Sequence, residues 1–364
     1  MKKTRFTALC RGLPLLCCFL LAACLLLPAA ASADSVKYLL RRAGSAIESG
    51  DYETAAQFFT EAAEAGDATA QFNLGLMYTK GQGVEEDPAK ALEWFTLAAD
   101  QGLAEAQSAL GYSYLFGVGT ETDYEKGLEY TTLAADQGES VALCNLGDCY
   151  RYGRGVDKDP AKAFGYYKAS AEAGMNDARY ALAVCYEDGI GTEPSMPLAV
   201  GWYALAAEQG SVGAQVSLGS MYSEGKGVVQ DFAKALRYYR LAADQGSSAA
   251  LFNLGIAYEF AEGVTQDYKA AASYYWKAYK AGDPDGMRYY VDLKKNGYIP
   301  EDFDPYVVAP DAPLFDTIND YMRRINEMMG SRFTKGSESE ILMYVGVALL
   351  VLQIPLVLIQ IFRR

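Results

Sequence analysis

Glycine recurs at positions 66, 102, 138, 174, 210, 246 and 282, always 36 residues apart, and the residues between recur with it. Each interval broadly reads Ala-x-x-x-Leu-Gly-x-x-Tyr, then Gly-x-Gly-Val, then Asp-x-x-Lys-Ala, an aromatic pair, Ala-Ala and the closing Gly. A period of this length marks a tandem array of small supersecondary units, each able to bury its apolar side only against its neighbours. A chain built this way is an extended surface first, which favours binding over catalysis.

In the unit from Asp67 to Gly102, Ala70, Leu74 and Tyr78 fall at i, i+4 and i+8, one side of a helix. The same triplet returns from Ala106, Leu110 and Tyr114 through to Ala250, Leu254 and Tyr258. Alanine lets helices approach, leucine fills the space, and tyrosine packs its ring while needing a partner for its hydroxyl. Glycine follows the leucine at 75, 111, 147, 219 and 255. Mid-helix glycine costs about 1 kcal/mol relative to alanine, so its repeated use predicts a close crossing there. The loop Gly81-Gln82-Gly83-Val84 and its copies predict a positive-φ turn that ends the helix and folds the chain back. No Gly-Lys-Ser/Thr follows and no strand precedes, so a phosphate-cradling loop is not expected. Asp87, Asp123, Asp159, Asp231 and Asp267 read as N-caps, with Pro88 and Pro160 at the first helical position. The second helix carries Ala91, Trp94, Phe95, Ala98 and Ala99, and an aromatic stripe this regular is core rather than a cofactor box. Each unit is an αα-hairpin and the fold class all-α.

These residues resemble the Sel-one-like repeat (SLR) family, a 36-residue relative of the tetratricopeptide repeat. The resemblance rests on runs such as Ala214-Gln-Val-Ser-Leu-Gly-Ser-Met-Tyr222, Gly225-Lys-Gly-Val228 and Asp231-Phe-Ala-Lys-Ala-Leu-Arg-Tyr-Tyr239. It covers six consecutive copies over 67–282. It implies a right-handed α-solenoid that mediates protein–protein contacts in bacterial envelope regulation or in membrane-bound quality-control complexes. Departures occur in the fourth copy, which has Ala183 for glycine and Ser195 for the capping Asp, predicting a distorted turn. The sixth has Ala261 for the first loop glycine. Cysteine-rich relatives staple each repeat with paired cysteines; this chain does not, so penicillin binding or a peptidoglycan-acting enzyme transfers poorly. Residues 34–66 resemble a half-matching N-terminal cap, 283–297 a C-terminal capping helix, and 298–313, rich in proline and aspartate, a linker.

Both ends of the chain read as membrane-related. Lys2, Lys3, Arg5 and Arg11 lead a charge-free run from Leu13 to Leu27, and Ala31-Ser32-Ala33 offers a signal-peptidase site, so 1–33 reads as a signal peptide. Leu21-Ala22-Ala23-Cys24 also resembles a lipoprotein box with Cys24 as the lipidated residue, although Leu25 to Leu27 continue the apolar run where lipoproteins turn polar. Residues 341–362 carry no charge, and at about 1.5 Å rise per residue they can cross a core of about 30 Å as a transmembrane helix. Arg363 and Arg364 then orient the repeats outside the cytoplasm. The expected location is the inner membrane, single-pass, with the repeats in the periplasm. At 314–330, Leu314, Ile318, Met322, Ile325 and Met329 form an amphipathic stripe suited to a partner helix, to self-association, or to the bilayer surface.

Net charge is −14, and the leader is wholly basic, so the remainder is more acidic still. Nucleic acid is not an expected partner. Cys144, Cys149 and Cys185 lie outside the leader. Cys149 and Cys185 share one repeat position, and stacked helices about 9–10 Å apart exceed the roughly 7 Å that a disulfide spans, so free buried thiols are expected. The chain has no histidine. That removes Ser-His-Asp and Cys-His catalysis and histidine–zinc ligation. Carboxylates are many, but no pair stands out from its equivalents in the other copies. No cofactor, metal or catalytic residue is expected.

Binding has a positive case. First helices line the concave side of such solenoids, and the stripe beside the core there includes Asn73, Lys80, Tyr112, Phe116, Asn145, Tyr152, Asn253 and Phe260. Phe116, Tyr152 and Phe260 fill a position held elsewhere by Lys80, Asp188 and Glu224. A core requirement would recur in every copy, so the variation points to surface, and exposed rings beside asparagine amides suit an extended peptide. The opposing view, that these rings pack against the next repeat, stays open. The sequence therefore reads as a membrane-anchored extracytoplasmic adaptor for a protein or peptide partner. The alternative is a regulatory subunit modulating an inner-membrane protein through its anchor helix.

Overall fold

A computed structural model describes residues 33–305, whose regular elements are fifteen α-helices with no strand among the described residues. The expected signal peptide (all but Ala33), the expected amphipathic segment 314–330 and the expected transmembrane span 341–362 lie outside the described residues. Among the described residues no helix is long and apolar enough to cross a membrane.

The helices are α1 (Ala33–Glu48), α2 (Tyr52–Glu64), α3 (Ala68–Lys80), α4 (Pro88–Asp100), α5 (Ala104–Phe116), α6 (Tyr124–Asp136), α7 (Ser140–Tyr152) and α8 (Pro160–Glu172). They continue as α9 (Asn176–Asp188), α10 (Met196–Glu208), α11 (Val212–Glu224), α12 (Phe232–Asp244), α13 (Ser248–Phe260), α14 (Tyr268–Lys280) and α15 (Pro284–Lys295). One compact unit ends at Gln245 and a second begins at Gly246. Within each, consecutive helices pack as successive hairpins.

The repeated residues explain the repeated hairpin. The first-helix alanines and leucines, from Ala70 and Leu74 to Ala250 and Leu254, are all buried. The tyrosine one turn on stacks against the leading aromatic of the second helix, as in Tyr114 on Tyr130, Tyr150 on Tyr166 and Tyr222 on Tyr238. The lysine three residues after the capping aspartate lies over the same tyrosine, at 4.9 Å for Lys162 and Tyr150 and 5.0 Å for Lys234 and Tyr222. The caps form as expected, with Asp87, Asp123, Asp159 and Asp231 each accepting from the backbone N–H three residues on.

The mid-helix glycines serve two kinds of contact. A Cβ at Gly75, Gly147, Gly219 or Gly255 would enter the ring of Phe95, Tyr167, Tyr239 or Tyr275, so the glycine seats an aromatic ring of the second helix. At Gly111 a Cβ would meet the backbone of α6 itself, at Thr131 and Gly127. In that copy Thr131 replaces the second aromatic and Gly127 replaces the alanine of Ala91, which lets the two helices close up as expected.

The turn of the fourth copy is not distorted. Ser195 makes no capping bond, yet its φ of −148° and ψ of 97° match those of Asp231, −151° and 92°. The turn is closed instead by the backbone bond from Ser195 N–H to Tyr186 C=O, 2.7 Å, which recurs in every copy whatever the side chain. In the second unit, Ile299 is buried with Tyr290 and Leu293, and Tyr298 stacks on Tyr268 at 4.4 Å. The start of the segment that composition assigns to a linker is thus packed onto α14 and α15. Cys149 and Cys185 are buried free thiols and Cys144 is a half-buried one. Burial pushes Cys149 and Cys185 up to about 11, and Cys144 to about 12. At neutral pH all three remain in the thiol form.

Candidate partner-binding surface

The ends of the first helices carry large side chains that the core does not absorb. Phe116 is 39% exposed, Tyr152 50% and Phe260 61%, so these rings do not pack away against a neighbouring repeat. Tyr112, also exposed, lies one turn before Phe116 on α5, their ring centroids 4.5 Å apart. Arg154, from the turn after α7, places its guanidinium 5.0 Å from the Phe116 ring centroid and 5.3 Å from that of Tyr152. Arg151 lies over Tyr152 from the same helix at 5.3 Å. Tyr112, Phe116, Arg154 and Tyr152 therefore form one strip across the second and third copies, with a cation held between two rings.

Exposed aromatics fixed by arginine are the composition that carries binding energy in protein interfaces, because they bring large apolar area at low cost in side-chain entropy. The arginine is held in place between the two rings. Its signal in the sequence is the middle residue of the Gly-x-Gly turn, which runs Gln82, Val118, Arg154, Ile190, Lys226 and Glu262. That variation is as large as at the Phe116 position, although the flanking glycines mark the segment as a turn.

The asparagines behave differently from the rings. The Asn73 amide donates to Thr69 C=O within its own helix at 2.8 Å. The Asn145 amide nitrogen is buried and unpaired. Asn253 is half-buried on α13. Lys80 is exposed at the end of α3. The structure thus brings Tyr112, Phe116 and Tyr152 together, while Asn253 and Phe260 belong to the second unit.

Beside the strip lies a cavity of about 310 Å³, walled by α3, α4 and α5 and reaching the start of α7. Tyr112 lines it and begins the strip. Among the described residues no cluster of three or more Cys, Asp or Glu side chains could hold a metal ion.

A sequence profile described as Sel1 repeat matches seven consecutive segments, 39–67, 68–103, 104–139, 140–175, 176–211, 212–247 and 248–283. The first of them takes in the later part of α1 and all of α2, ahead of the six copies read from the glycine period. Among solved structures, the chain is similar to a Sel1 repeat protein from Oxalobacter formigenes, with 32% identity and a TM-score of 0.62 over 66% of this chain and 99% of that one. It is also similar to a protective antigen present in uropathogenic Escherichia coli strains displaying an SLR fold, with 28% identity and a TM-score of 0.61 over 78% of this chain. The chain spans 60% of that antigen's length. No curated protein matches. With the profile running over residues 39–283, most of its length, the chain belongs to the Sel1 repeat family.

Proposed function

We propose that the protein is a non-catalytic scaffold that binds a protein partner through the first-helix face of its repeats, held at the bacterial inner membrane by residues 341–362 with the repeats in the periplasm. The right-handed winding, the signal peptide and the single-pass anchor belong to this reading; the winding rests on the family resemblance and the two membrane features on the sequence. The observation that carries the binding role is the exposed Tyr112–Phe116–Arg154–Tyr152 strip. Family membership supports it, because tandem helical hairpins offer long surfaces and each copy can vary its outward residues without disturbing the shared core. The chemistry of the strip favours protein over nucleic acid, since the chain is acidic, at −14.

Site-specific photo-crosslinking in intact cells tests this. A photoreactive amino acid at position 116 or 152 should give a discrete adduct. The same group at position 97, where Leu97 is 47% exposed on a second helix, should not. Equal labelling at all three positions, or none at 116 and 152, contradicts the proposal.

A further inference from the structure

We propose that the cavity between α3 and α5 is an anchor pocket for a bulky apolar side chain of a bound peptide that carries a basic residue next to that anchor. This rests on the scaffold reading and names the partner's chemistry.

One register position contributes to the cavity. Phe72, Tyr180 and Phe252 place rings there in the first, fourth and sixth copies, whereas the second, third and fifth carry the smaller Ser108, Cys144 and Val216, and of these Ser108 lines the cavity. Tyr180 shows what a ring does there: it packs 5.7 Å from Tyr203 and lies against Gly213. With serine, the space stays open and is lined by the apolar side chains of Phe72, Leu76, Phe95, Ala109 and Val141, with Tyr112 as one wall. A volume of about 310 Å³ is at the lower end of ligand pockets and suits an anchoring side chain better than a whole cofactor.

Charge selects the neighbour of the anchor. The lining includes two carboxylates, Glu105 and Glu139, and no lysine or arginine. Glu139 is fixed by accepting the N–H groups of Val141 at 3.0 Å and Ala142 at 2.7 Å, which leaves its charge at the rim. Glu105 is exposed in the first turn of α5. A cationic side chain beside the anchor meets both, whereas an acidic one is repelled. Continuity selects a peptide over a small molecule: Tyr112 walls the cavity and also begins the strip toward Phe116. A chain anchored in the pocket therefore has a further aromatic surface to follow.

The test uses the full chain in detergent and capped pentapeptides whose third residue is Phe, Trp or Ala and whose fourth is Arg, Gly or Glu, with affinity read by titration calorimetry. Phe-Arg and Trp-Arg peptides should bind at least about tenfold more tightly than Ala-Arg, and among the Phe peptides the one with Glu should be weakest. Ser108→Phe, which restores the ring that other copies carry, should abolish this preference at an unchanged or higher unfolding temperature. Val141→Lys, at a 40% exposed lining position, keeps the fold and should remove the preference for Arg over Gly. Peptide binding that ignores both the third residue and Ser108→Phe overturns the pocket. If photo-crosslinks at 116 persist in that case, only the pocket is lost; if they too are absent, the scaffold reading fails with it.

Discussion

Ala261 is the residue whose backbone is least suited to its side chain. Its φ is +61°, the left-handed region, where the preceding turns place Gly81, Gly117, Gly153, Gly189 and Gly225. A side chain there costs about 1–2 kcal/mol, and glycine's greater freedom in the unfolded chain returns part of that. Ala261→Gly should therefore stabilise the protein by about 1 kcal/mol in urea unfolding. The second glycine of the turn does something else. A Cβ on Gly119 would run into the carbonyl of Pro88, at the start of the previous copy's second helix. Gly119→Ala should thus lose about 3 kcal/mol, through the left-handed φ and the collision together, and more than Gly117→Ala. Equal losses would show that the second glycine is only a turn residue. The sequence revealed the turn, since positive φ is a local demand. It could not reveal the contact, because the register between neighbouring hairpins is set by packing.

Between helices, polar contacts come in matched sets. Gln137 donates to Gln107 at 2.7 Å, and Gln107 donates to Ala99 C=O at 3.3 Å. The same pattern joins Gln101 to Gln71 and Gln245 to Gln215. In the third and sixth copies the two positions hold Leu143 with Ala173 and Leu251 with Ala281, so the pair is either wholly polar or wholly apolar. Gln137→Ala should cost about 1–2 kcal/mol by leaving a buried acceptor unpaired, and Gln107→Leu with Gln137→Ala should recover most of it. Additive losses in that double-mutant cycle would refute the pairing. A second link joins Lys226 to Glu187 at 2.6 Å, with Tyr203 donating to the same carboxylate at 2.6 Å. Burial pushes Glu187 up, but the hydrogen bonds from Lys226 and Tyr203 outweigh it and hold the carboxyl below its usual 4.5. The folded state therefore favours the charged form, and this stability is present above pH 4.5 and fades as pH falls below it. Lys226→Met should cost about 0.5–1 kcal/mol at neutral pH, because the lysine is half exposed, and the difference from the parent should shrink in acid. A loss that persists unchanged at acid pH would assign it to the packing of the lysine stem. At this scale the site was partly legible. Phe116 and Tyr152 stood out because large rings sit at a register position that other copies fill with Lys80, Asp188 and Glu224, which a core position would not allow. The Ser108 cavity did not, because a missing ring is visible only once the copies are packed.

Across the whole molecule, the core is the shared part of each copy and the surface the variable part. Ala, Leu and the paired aromatics repeat because every hairpin must bury the same face. The helical fold was legible for that reason: a 36-residue period, alanine and leucine at helical spacing and aspartate caps all point to one hairpin. The membrane ends enter the functional reading from sequence alone, and one exchange separates the two roles considered for them. Replacing residues 341–364 with an unrelated transmembrane span should leave an adaptor active. Loss of function at normal abundance would favour a regulator that acts through its anchor. The most direct measurement of the central claim is partner recovery by the full chain carrying Tyr112→Ala, Phe116→Ala and Tyr152→Ala, compared with the parent at equal abundance and equal helical content. These rings are exposed, so the fold should survive. Recovery should fall by about tenfold or more if the strip is the hot spot. Undiminished recovery would contradict recognition through this face.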